Sequence, residues 1–166
     1  MSSPPITVLF VSRENAVRSI LAEACLTQLG KGRFKALSCG VPGQTDRPVP
    51  QAVLDVLAAS AIPSKGLHAK SWTDFIRSGA PRLNFVISLD AATVSLHPSW
   101  PGQPDTALWS CAPVLTEDHA VSDLKPVVLQ TLYSLRRRLE LLVALPMHGL
   151  DRAALHSDIR DMAYMT

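Results

Sequence analysis

Two stretches of the chain are almost wholly apolar, Ile6–Val11 (Ile-Thr-Val-Leu-Phe-Val) and Leu83–Leu89 (Leu-Asn-Phe-Val-Ile-Ser-Leu). Runs this short with no polar face fit strands covered on both sides, as in a parallel sheet. A weaker strand is expected over Phe34–Cys39, closed by Gly40, and a last one over Ala107–Trp109. Elsewhere the apolar positions recur with the period of a helix. Ser19–Leu29 carries Ile20, Leu21, Ala24, Cys25 and Leu29 on one side, and Gly30 and Gly32 stop it. Pro50–Ala61 repeats the pattern with Val53, Leu54, Val56 and Leu57. The longest helix is expected over Ser122–Leu145, with Ser122 and Asp123 suited to its N-cap and Pro126 in the first turn, where proline is tolerated. Short helices are expected over Thr73–Arg77 and Ala91–Leu96. A terminal amphipathic helix is expected over Leu150–Met162, with Leu150, Ala154, Leu155, Ile159 and Met162 on one side.

Strands alternating with helices predict an α/β fold: a three-layer sandwich with a parallel sheet of about four strands and helices on both faces. At 166 residues the chain has the size of one domain. Its core is placed at about 6–145, with a C-terminal helical extension over 146–166.

Composition narrows the partners. Hydrophobic residues make up 47% and charged residues 18%, which fits a packed core and argues against disorder. A net charge of +2 is too mild for a dedicated nucleic-acid or polybasic membrane binder, yet compatible with a small oxyanion. No apolar run is long enough to span a membrane, and Met1–Pro5 carries no secretory pattern, so cytoplasmic residence is expected. Three cysteines, Cys25, Cys39 and Cys111, stand far apart without a Cys-x-x-Cys or Cys/His pattern. Neither a disulfide framework, a metal site nor a cofactor is expected.

In open α/β folds ligands bind at the carboxyl ends of the strands. After the first strand that place is held by Ser12-Arg13-Glu14-Asn15-Ala16-Val17-Arg18-Ser19. A loop running into a helix turns backbone N–H groups inward, and the helix N-terminus adds partial positive charge. Arg18 supplies a fork for two oxygens of a phosphate-like ion, and Asn15 tolerates the left-handed turn such a loop needs. The candidate phosphate-binding residues are therefore Arg13, Glu14, Asn15, Ala16, Val17, Arg18 and Ser19. Ser19 is equally suited to cap the helix. Glu14 at the loop mouth opposes anions, and Arg13 is the group expected to offset it.

The segment Val8-Leu9-Phe10-Val11-Ser12 to Arg18-Ser19-Ile20-Leu21-Ala22-Glu23 resembles the phosphate loop of the low-molecular-weight protein tyrosine phosphatase superfamily, which includes the thioredoxin-linked arsenate reductases. Its pattern is an apolar strand, Cys-x5-Arg-Ser, an Asn inside the loop and a small-residue helix. Asn15, Arg18, Ser19, Ala22 and Glu23 fit. Leu37-Ser38-Cys39-Gly40 is similar to the family's Ser-Ala-Gly segment. Pro50-Gln51-Ala52-Val53, Ile62-Pro63 and Phe85–Leu89 follow in the family's order, so the likeness spans about residues 6–145.

Two departures matter most. The resemblance places the nucleophilic cysteine at Ser12. A hydroxyl is far less acidic than a thiol, and no histidine base adjoins it in sequence. It also places the general-acid aspartate in Trp109-Ser110-Cys111-Ala112-Pro113, where Ala112 takes its position in a segment one residue shorter. That altered spacing, with Cys39 and Glu14, points to natural divergence rather than a pair of inactivating substitutions. The residues after Leu89 contain no cysteine for a reductase relay. The expected function is a phosphate-binding pseudophosphatase whose partner is a phosphate-like oxyanion or a phosphorylated protein. The alternatives are an active phosphatase or arsenate reductase of the same superfamily, and a structural or oligomerisation subunit with a relic loop.

Other features carry plainer readings. His97 and His119 are expected at the surface, Cys25 and Cys39 in the core. Arg136-Arg137-Arg138 is expected to form a solvated face of the long helix. Trp100 and Trp109 either line the pocket rim or pack.

Overall fold

The computed structural model describes residues 4–114, 124–145 and 152–164. Its sheet has four strands, β1 (Ile6–Val11), β2 (Phe34–Cys39), β3 (Phe85–Ser88) and β4 (Asp105–Leu108), in the order β2-β1-β3-β4 and all parallel. The helices are α1 (Arg18–Gly30), α2 (Gln51–Ala59), α3 (Leu124–Ala144) and α4 (Arg152–Asp161). The central strands are the two apolar runs, and every residue of β3 and all but Ile6 and Thr7 at the start of β1 is almost wholly buried. That burial is why neither strand alternates polar with apolar.

The two faces of the sheet are covered unequally. On one, Val8 and Phe10 of β1 and Ile87 of β3 meet Ile20, Leu21, Cys25, Val53, Leu57, Leu132, Leu135 and Leu139 from the helices. On the other, Leu9, Val11 and Val86 meet Val41, Trp72, Phe75, Leu83 and Trp100, which come from connections and a 3-10 turn at Trp72–Phe75. The expected short helices at Thr73–Arg77 and Ala91–Leu96 are both 3-10 turns, the second spanning 91–96. Asp90 caps it, its Oδ1 accepting from the Ala92 amide at 3.0 Å. Segments this short do not close enough i-to-i−4 bonds to settle as α-helix.

Several expectations shift in detail. The last strand begins and ends earlier than Ala107–Trp109, and Trp109 beyond it is fully buried, its Nε1 donating to the Ile159 carbonyl at 2.9 Å. Gly30 is still helical, and Lys31 makes the left-handed turn after it at φ 48°. Arg138 is not on a solvated face: it is buried, its Nε donating to the Met162 carbonyl at 3.1 Å, whereas Arg136 pairs with Glu140. Ile159 and Met162 of the terminal segment are buried, as the amphipathic pattern requires. The proposed cap residues Ser122 and Asp123, and also His119 and Leu150, lie outside the described residues. Among the described residues no helix is long and apolar enough to cross a membrane.

Candidate functional site

β1 ends at Val11, and the chain bends through residues 12–17 before α1 begins at Arg18. Ser12 is anchored to the neighbouring strand, its amide donating to the Cys39 carbonyl at 3.2 Å. From Arg13 to Arg18 no backbone N–H has an acceptor among the described residues, and Asn15 to Arg18 are buried. Unpaired buried amides cost free energy unless something accepts from them. A curved series of them at a helix N-terminus is a concave anion site.

The loop keeps this shape because its underside is fully bonded. Asn15 adopts the left-handed conformation at φ 51°. Its Nδ2 donates to Ser19 Oγ at 2.8 Å and to Ser38 Oγ at 2.9 Å, while its Oδ1 accepts from the Lys70 amide at 2.9 Å. Ser38 Oγ in turn donates to Glu23 Oε1 at 2.5 Å, and Lys70 Nζ lies 3.6 Å from the same carboxylate. Val41 donates its amide to the Arg13 carbonyl at 2.9 Å. Gly40 lies so close beneath that a Cβ there would sit 2.8 Å from the Arg13 carbonyl oxygen and 3.0 Å from the Asn15 nitrogen. No side chain fits at that position.

Ser19 is not the helix cap. Val17 holds that position without a side-chain bond, and Ser19 Oγ instead pairs with Ser12 Oγ at 2.6 Å. Ser12 is thus buried against a second hydroxyl, not a base.

Arg18 differs from a freely offered fork. Its NH2 lies 3.0 Å from Asp90 Oδ2, and its NH1 donates to the carbonyls of Leu89 and Cys111 at 3.4 and 3.1 Å. Those contacts tie the ends of β3 and β4 to the loop and leave Nε–H and one NH2 hydrogen for a ligand. Arg13, half exposed, leans on the same carboxylate at 3.7 Å, so it does not offset Glu14. Glu14 is met by Arg47 instead, at 3.7 Å, and its Oε2 is buried with no hydrogen bond.

A cleft of about 30 Å³ opens over the loop, lined by Ser12, Glu14, Ala16, Val17, Arg18, Pro113 and Val114. Ala112, next to the lining residue Pro113, is exposed. Neither tryptophan reaches this rim: Trp109 is core, and Trp100 packs edge-on against Trp72 and His97 on the other face of the sheet. His97 is half-buried there rather than superficial, and burial lowers its pKa. Burial raises the Cys25 thiol to about 11 and pushes Cys39 higher still. Cys111 is raised by its partial burial, although Arg138 and Arg18 pull the other way.

Asp90, Lys70 and Val114 were not singled out by sequence reasoning, and Ser38 and Pro113 figured only as parts of segments similar to the family's. Asp90 had a signal: it is the acid directly after a buried strand, at the end of the sheet where Arg18 had to find a partner. Lys70 carried none, because its link to Asn15 depends on where a long connection folds back.

The family model for low molecular weight phosphotyrosine protein phosphatase matches residues 7–104. No curated protein matches. Among solved structures, an arsenate reductase in the oxidised state is similar over 83% of this chain and 96% of its own, with 25% identity and a TM-score of 0.63. The tyrosine phosphatase Wzb from Escherichia coli K30, in complex with sulphate, covers 81% of this chain and 96% of its own at 15% identity and a TM-score of 0.60. A mutant of the YwlE arginine phosphatase with a phosphorylated active site serine covers 84% and 94% at 18% identity, with a TM-score of 0.59.

Proposed function

Because the chain belongs to the low molecular weight phosphotyrosine protein phosphatase family, we propose that it binds a phosphate-like oxyanion or a phosphorylated protein as a pseudophosphatase. The observation that carries this reading is the run of unpaired amides over residues 13–18 around a cleft that also holds Arg18. A phosphoryl group would satisfy those donors, the two unused donors of Arg18 and the positive end of α1 together.

Turnover needs more than binding. An attacking atom must be a competent nucleophile, and the leaving oxygen must receive a proton. Ser12 Oγ faces the Ser19 hydroxyl and no base, and Ala112 has no proton to give. A thiol-dependent reduction lacks its first thiol at the same position. The YwlE structure, with its phosphorylated active site serine, supports a second reading: a serine in such a loop can carry the phosphoryl group. On that reading Ser12 Oγ bonds to phosphorus as the ester P–O bond breaks, the Ser12 hydroxyl proton passes through water to the leaving oxygen, and the adduct persists.

The test is a titration with inorganic phosphate followed at the amides of residues 13–18, beside turnover of an activated aryl phosphate. Saturable shifts at those amides, no turnover by the chain and turnover by Ser12→Cys are expected. Absent shifts, or turnover by the unaltered chain at the rate of Ser12→Cys, would overturn the proposal. A phosphoserine at Ser12 detected by mass spectrometry after incubation with the ester would select the second reading.

A further inference from the structure

Among the described residues, Glu14 is the one anionic side chain lining the cleft and Arg18 the one cationic side chain. Arg18 is already matched by Asp90 at 3.0 Å, both side chains being less than a tenth exposed. The three groups together therefore carry one net negative charge. Arg13 and Arg47 balance it only from the rim, both at 3.7 Å from their carboxylates and about half exposed, where solvent screens them strongly. Asp46 adds another carboxylate beside Glu14 and Arg47 in the shallow hollow next to the cleft. The Oε2 atom of Glu14 is out of solvent and accepts no hydrogen bond; Arg47 Nε stands 3.7 Å from it, beyond hydrogen-bond reach, so its charge is offset only in part.

From this charge count we infer that Glu14 selects the charge of the ligand. It penalises the dianion of a tetrahedral oxyanion ester more than the monoanion of the same shape. The inference rests on the oxyanion-binding reading of the loop. The amides of 13–18 and the positive end of α1 attract either ligand, the dianion more strongly, and Glu14 opposes that preference. Discrimination comes from Glu14, whose repulsion is proportional to the ligand's charge. The loop's shape is held from beneath by Asn15 and Gly40, so a change at Glu14 alters charge at the mouth without dismantling the cradle.

The proportionality gives a sharp test. Phenyl phosphate and phenyl sulfate have nearly the same shape, and at pH 8 the first is a dianion and the second a monoanion. Their affinities are measured by calorimetry on the full chain and on Glu14→Gln, at one pH and one ionic strength. If the substitution tightens phenyl sulfate about threefold, it tightens phenyl phosphate about tenfold, since the repulsion removed is doubled. Arg47→Ala moves both in the opposite direction by less. Equal fold-changes for the two ligands, or no change, would overturn the charge role while leaving the oxyanion site intact. Failure of both ligands to bind either protein would remove the oxyanion reading itself, and this inference with it.

Discussion

The underside of the 12–19 loop and its mouth are built to opposite standards. Beneath, each polar group of Asn15 has a partner, Ser19 and Ser38 are wholly buried, and the chain closes against Gly40 without a gap. At the mouth, six consecutive amides have no acceptor among the described residues, and Glu14 Oε2 accepts no hydrogen bond, Arg47 standing 3.7 Å away. The difference separates what a loop needs to hold its shape from what it needs to react. Shape depends on bonds within the protein, and these are complete. Reaction depends on groups facing outward, and the chain has a hydroxyl at Ser12 and a methyl at Ala112. The bonds that shape such a loop are therefore separate from the groups that line its mouth.

Breaking the underside should cost most. Arg18→Ala strands the buried Asp90 carboxylate and should lower stability by about 3–5 kcal/mol, read from urea unfolding. Asn15→Ala removes four hydrogen bonds and the residue suited to φ 51°, for a loss of about 2–4 kcal/mol. Asn15→Gly should recover about 1 kcal/mol of that, because glycine adopts the left-handed turn freely. At the mouth the effects shrink. In a Ser12→Cys background, Ala112→Asp should speed hydrolysis of esters with poor leaving groups by roughly tenfold, well below the 10²–10⁴ of a well-placed acid, and leave activated esters unchanged. The shortened segment before Pro113 limits the reach of that carboxylate. Smallest of all, Glu14→Gln should leave the unfolding midpoint within about 0.5 kcal/mol of the native chain. A large loss there would erase the contrast between the two halves.

The sequence makes the two halves legible to different degrees. The strands were readable because buried parallel strands advertise themselves as unbroken apolar runs, and Ile6–Val11 and Phe34–Cys39 fall where the pattern puts them. The loop was readable because its residues are contiguous and sit where a strand meets a helix. What stayed hidden was long-range and polar. Asp90 and Lys70 reach the loop from connections whose paths no local periodicity determines, and they give Arg18 and Asn15 structural bonds that the sequence does not announce. The tryptophans misled in a similar way. A large amphipathic ring suits a pocket rim and a core equally, and only the covering of Trp109 by α4 decides between them.

Gly40 has a consequence for portability. The peptide from Ser12 to Ser19 contains the unpaired amides and both charged side chains of the cleft, yet its curvature is imposed by a residue at the end of another strand. Transplanted alone onto a different scaffold, the octapeptide would relax, and its amides would point in unrelated directions. The transferable unit is the pair of strand ends together, with the bare backbone at position 40 as the mould against which the loop is cast.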